Sequence, residues 1–103
     1  MRLYIVRTIE EYSVGDPNPV RRKKLLFRSW HRGTREADLL LGSFAEQHLD
    51  LLNPDQLDRY EALLGVEDNV LYDWITKRAT PPPILDTDVL RLLLNHTYRV
   101  QPA

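Results

Sequence analysis

Two Asn-Pro pairs (Asn18-Pro19 and Asn53-Pro54), two glycines that close apolar runs (Gly33 and Gly65) and the triplet Pro81-Pro82-Pro83 cut the chain into short segments, and the apolar spacing in each is helical. An asparagine before proline is a helix N-cap followed by the one residue whose missing N–H costs nothing at the first helical position. A first helix is therefore predicted from Asn18 to about His31, with Val20, Leu26, Phe27 and Trp30 facing inward and much of the neighbouring basic run outward. Gly33 stops it and Thr34 caps a second helix from Arg35 to about Leu52, in which Ala37, Leu40, Leu41, Phe44, Ala45, His48 and Leu52 recur at helical spacing. The second Asn-Pro pair starts a third helix through Leu57, Tyr60 and Leu64 to Gly65. Glu67 to Asn69 lead into a fourth, with Val70 or Leu71, Trp74, Ile75 and the stem of Arg78 inward. The proline triplet reads as a stiff extended link. Asp86 or Thr87 caps a last helix that gathers Val89, Leu92, Leu93 and His96 on one face. The expected fold is all-α: a compact five-helix bundle over residues 17–103, one domain, preceded by a short arm, residues 1–16.

The chain has 103 residues, 43% of them hydrophobic and 28% charged, which suits one soluble globular domain and leaves no material for a second core. With no cysteine, disulfides, thiolate chemistry and Cys-based metal sites are excluded. The sequence shows no apolar run of membrane-spanning length and no signal peptide. Nor does it show an Arg-rich, acid-poor presequence, so the expected location is a bacterial cytoplasm, with the mitochondrial matrix as the eukaryotic counterpart.

A net charge of −1 hides a separation. Residues 21–35 hold seven basic side chains and no acid, whereas residues 36–73 hold ten acids and one base, Arg59. The basic block could serve nucleic acid, an acidic protein or internal pairing. The acids that follow it would repel phosphates, so a nucleic-acid-binding or regulatory module built on residues 21–35 is the second choice.

Chemistry within the chain is thinly supported. His31, His48 and His96 lack metal-ligand spacing, and His48 and His96 sit on apolar stripes where a structural histidine is the commoner occupant. The glycines are scattered singly, so no phosphate-cradling loop is expected and no cofactor should be held stably by the chain itself. The serines have no nucleophile elbow. The expectation is no catalytic residue, no metal and no enzyme.

What remains is the corner Trp30-His31-Arg32-Gly33-Thr34-Arg35-Glu36-Ala37-Asp38, where a helix end, a glycine and a helix start bring aromatic, cationic and anionic groups together. Arg32 could offer a planar fork to a carboxylate, Gly33 close backbone approach, and Glu36 an acid favoured by the helix dipole. A plain helix stop with solvated arginines explains the same residues equally well.

The run R-G-T-R-E-A-D-L-L-L-G-S-F-A resembles the signature of the succinate dehydrogenase assembly factor 2 family, whose members carry R-G-x-x-E before an acidic residue and an apolar helix. The resemblance covers residues 20–97 and includes N-P-D-Q-L-D-R-Y-E-A-L-L at 53–64 and D-N-V-L-Y-D-W-I at 68–75. Ala37, Ser43 and Val70 depart from the family's usual residues. The resemblance implies a five-helix chaperone that binds the flavoprotein subunit of succinate dehydrogenase and promotes attack of a partner histidine on the flavin 8α-methyl position. FAD would belong to the partner. It further implies that Arg32, Gly33 and Glu36 contact the flavoprotein, that Asp38 supports them, and that His31 and Arg35 contribute. A fumarate reductase flavoprotein is left open as a second partner.

Overall fold

The structure, a computed structural model, describes residues 18–100, with side chains up to residue 96; the expected arm at 1–16 lies outside the described residues. The described chain forms α1 (Asn18–Trp30), α2 (Arg35–His48), a 3-10 turn (Leu49–Leu51), α3 (Pro54–Leu64), α4 (Asp68–Ile75) and α5 (Asp88–Val100), with no strand among the described residues. The predicted all-α, five-helix architecture is the one observed.

Local chemistry explains the boundaries. Thr34 Oγ1 accepts from the Ala37 amide at 3.2 Å, closing the N-terminus of α2. Asn53 and Gln56 form a reciprocal capping box, with bonds of 2.8 and 3.0 Å, ahead of α3. Of the two caps considered for α5, Thr87 supplies the hydroxyl, 3.3 Å from the Leu90 amide. Gly33 turns the chain at φ +118°, a conformation that side chains strain to adopt.

Three elements depart from expectation. The second helix was expected to reach Leu52, but α2 ends at His48 and tightens into the 3-10 turn. Pro54 forces Asn53 out of the helical region, and Arg22 donates to two carbonyls at this end, with Nε 3.0 Å from Leu49 O and Nη2 2.8 Å from Leu52 O. The fourth helix closes at Ile75 instead of carrying Arg78 inward. Lys77 takes φ +63°, and the Arg78 amide reaches back to Asp73 O at 2.8 Å, so Arg78 is left exposed. The proline link is only partly extended, because Pro82 O accepts from the Leu85 and Asp86 amides in a turn.

The core is built from α2, α3 and α5. Phe44 is fully buried, its ring 5.4 Å from Tyr60 of α3 and 5.6 Å from His96 of α5. Leu40, Leu41, Leu57, Leu63, Leu71, Leu90 and Leu93 fill the space around it. α1 enters this core through Leu25 and Ser29; of the residues expected inward, Val20, Leu26 and Trp30 are half-buried and Phe27 is 63% exposed. Ser29 can be buried because its hydroxyl donates to Leu25 O at 2.7 Å and lies 2.6 Å from the Tyr60 hydroxyl.

Candidate functional site

The α1–α2 corner is held from both sides. On the backbone side, one oxygen of Asp38 accepts from the Arg32 amide at 2.6 Å and from the Gly33 amide at 3.3 Å. A carboxylate in the first turn of α2 thus fixes the chain leaving α1, and the helix dipole favours its charge. On the side-chain side, the Arg32 guanidinium runs under the turn to the α3–α4 junction. Nε and Nη2 lie 3.0 and 2.7 Å from Asp68 Oδ1, Nη2 also donates to Val66 O at 2.6 Å, and Nη1 donates to Leu64 O. The fork foreseen for Arg32 therefore meets a carboxylate of its own chain, and only 12% of its side chain is exposed.

The other expected site residues lie on the surface. His31, Gly33, Arg35 and Glu36 are exposed, and Asp38 is half-buried in its bonding role. Nothing lies within 4 Å of a β-carbon built on Gly33, so that turn is open to approach. His31 stacks on Phe27 at 3.9 Å and its Nδ1 lies 2.7 Å from Phe27 O. Shallow hollows flank His31: one is lined by Phe27, Arg28 and Arg32, the other by Trp30, Gly33, Thr34, Arg35, Asp38 and Leu39. Tyr72 of α4 lies beneath the corner. Burial, then the charges of Asp68 and Glu36, raise its pKa, while Thr34 and Arg32 pull it back.

Two contributors escaped the sequence reading. Asp68 sits 36 positions from Arg32, and no local pattern pairs them. Gly42 lies in mid-helix where the Trp30 indole packs, 2.1 Å from where a β-carbon would stand. A lone glycine within an apolar helix was the signal available for that close approach.

The basic block is largely spent inside the molecule. Arg21 reaches Asp58 at 2.6 Å and Glu61 at 2.8 Å, and Arg28 reaches Glu61 at 3.5 Å. Internal pairing thus accounts for much of the charge that a nucleic-acid surface would use. His48 and His96 do meet, ring centres 6.0 Å apart across Phe44, and Ser43 Oγ lies 2.9 Å from His96 Nε2. Burial lowers the pKa of His48. No third ligand joins them: among the described residues no group of three metal-binding side chains occurs.

The N-termini of α2, α3 and α5, where backbone amides could receive phosphates, are closed by Thr34, by Asn53 with Gln56, and by Thr87, whereas α4 starts without a side-chain cap. No described helix is long and apolar enough to cross a membrane.

Fold and corner together define a small helical protein whose distinctive chemistry lies in a braced surface turn rather than in a cavity. Residues 23–97 match the family described as "Flavinator of succinate dehydrogenase", and the chain belongs to that family. It is 45% identical over 75 residues to the mitochondrial succinate dehydrogenase assembly factor 2 of Dictyostelium discoideum, covering 73% of this chain and 53% of that protein. It is 38% identical over 97 residues to the mitochondrial assembly factor 2-B of Drosophila ananassae, covering 90% and 60%. The mitochondrial assembly factor 2 of Meyerozyma guilliermondii is 37% identical over 83 residues, covering 77% and 62%. The chain spans between 53% and 62% of the length of these relatives.

Proposed function

We propose that this chain is an assembly factor that binds the flavoprotein subunit of succinate dehydrogenase and promotes covalent attachment of FAD to a histidine of that subunit. The observation that carries the reading is the family match over residues 23–97, which includes the whole α1–α2 corner. The corner's geometry supports a docking role: Gly33 is open to a partner backbone, with His31, Arg35 and Glu36 exposed beside it and Asp38 bracing the turn. The covalent chemistry belongs to the partner's histidine and its FAD, and this chain contributes position. Holding reacting groups in line can remove roughly 7–11 kcal/mol of a barrier without any catalytic side chain on the helper. The compartment is that of the partner, a bacterial cytoplasm or a mitochondrial matrix. A fumarate reductase flavoprotein, built for related chemistry, is a second partner for the same assay.

The test mixes the purified chain with apo-flavoprotein and FAD and follows covalent flavin by in-gel fluorescence. Faster attachment and co-elution on a sizing column are expected; attachment at the unassisted rate with no complex would sink the reading. Gly33 sharpens it. Its φ of +118° strains any other residue, so Gly33→Ala and Gly33→Arg should each lose about 1–3 kcal/mol of stability while keeping their helix content. Gly33→Arg should in addition abolish the complex, because its bulk and charge occupy the open side of the turn. Equal binding by the two variants would mean that Gly33 acts only as a helix stop.

A further inference from the structure

The role of Arg32 in docking can be decided by counting its N–H groups. A guanidinium has five, arranged so that either edge can grip a carboxylate in bidentate fashion. Here the Nε/Nη2 edge is occupied by Asp68, and the Nη1/Nη2 edge is divided between Leu64 O and Val66 O. Four of the five are engaged, which leaves one on Nη1 and no free edge. Leu64 ends α3 and Asp68 begins α4, so the cation lies against the negative end of one helix and binds a carboxylate at the positive end of the next. The Arg32 amide, meanwhile, is held by Asp38. One residue thus fixes the Gly33 turn to the α3–α4 junction.

We infer that Arg32 is a positioning residue acting through Asp68, which holds the exposed Gly33-Thr34-Arg35-Glu36 segment in its docking-competent place, and that Arg32 itself does not grip the partner. This rests on the docking function proposed above. It assigns Asp68 a functional role although Asp68 lies outside the Arg-Gly-x-x-Glu run. Lysine cannot substitute at position 32, since a single ammonium cannot span one carboxylate and two carbonyls in this planar arrangement.

The experiment titrates apo-flavoprotein of succinate dehydrogenase against the wild-type chain, Asp68→Asn and Arg32→Lys, with circular dichroism to confirm helix content. Nuclear magnetic resonance follows the Arg32 Nε–H signal and the Gly33 amide. In the free chain, Asp68→Asn should speed exchange of both protons on the order of tenfold or more, and it should weaken partner binding by a similar factor. On complex formation the wild-type Arg32 Nε–H should keep its position while the amides of Gly33, Arg35 and Glu36 shift. An Asp68→Asn chain that binds within about twofold of wild type although its turn has loosened would overturn the inference, with twofold lying well inside the effect expected for a charged hydrogen bond. So would an Arg32 Nε–H signal that moves more than those amides on binding. If Arg32→Lys fails to fold, Asp68→Asn and the wild-type resonance decide alone. A wild-type chain that binds no flavoprotein would overturn the docking function itself, and the exchange rates in free Asp68→Asn would still report whether the brace exists.

Discussion

Gly42 has no room for a methyl group. A β-carbon there would stand 2.1 Å from Trp30 Cδ2 and 2.4 Å from Cε2, atoms of the fused ring that cannot swing away as a side-chain tip could. The indole is further held by its Nε1 bond to Glu46 at 3.1 Å. Gly42→Ala should therefore cost about 1–3 kcal/mol through overpacking, despite alanine's better helix propensity. Urea denaturation measures it, and a double-mutant cycle with Trp30→Ala identifies the cause: once the ring is gone, the Gly42→Ala penalty should vanish or reverse. A penalty unchanged in the Trp30→Ala background would place the strain elsewhere. Trp30 is also the last residue of α1, so its fit on Gly42 lies at the entry to the Gly33 turn.

At the level of elements, the chain states its helix starts locally and its helix faces only in part. Thr34 and Asn53-Pro54 act on amides within three residues, so those starts were legible from neighbours alone. The inward face of α1 was legible only in part. Apolar spacing favoured Phe27, yet the buried pair is Leu25 and Ser29, and burying a serine depends on Tyr60, 31 positions away. The same limit hid Asp68 behind Arg32. At the candidate site the sequence exposed which residues cluster at the corner, but not which of them face solvent, because that is settled by long-range hydrogen bonds. The end of α4 offers a test at this scale. Lys77 adopts φ +63° in a backbone motif that usually takes glycine, with its amide on Trp74 O and the Arg78 amide on Asp73 O. Relief of that strain outweighs the greater freedom of the unfolded chain, so Lys77→Gly should raise stability by about 0.5–1 kcal/mol in thermal or urea unfolding. A loss of stability would mean that the lysine side chain contributes more than its backbone costs.

Across the whole molecule, charge separated along the chain is rejoined in space. Arg21, Arg28 and Arg32 of the basic segment find Asp58, Glu61 and Asp68 of the acidic one, drawing α1 and the turn after it onto α3 and the α3–α4 junction. The exposed pairs contribute little each, about 0–1 kcal/mol, and weaken with salt. The buried anchor of the same contact is the Ser29–Tyr60 hydroxyl pair, and it gives the fold a pH limit. Burial pushes the Tyr60 pKa from 10.0 up to about 12, with the Ser29 hydrogen bond opposing the rise. A tyrosine with a higher pKa folded than unfolded holds its proton better in the native state. The unfolded chain then loses that proton from about pH 10 upward while the native chain keeps it until about pH 12. Stability is therefore unaffected by this group below pH 10 and falls above it, at up to about 1.4 kcal/mol per pH unit, levelling off beyond pH 12. Tyr72, raised in the same direction, adds to the fall. Urea unfolding at steps between pH 9 and 12 should show this decline, and Tyr60→Phe should flatten it while lowering stability at neutral pH by about 0.5–1.5 kcal/mol for the lost hydroxyl pair. The slope belongs to Tyr60 only if the variant loses it; an identical alkaline decline in Tyr60→Phe would assign it to other groups.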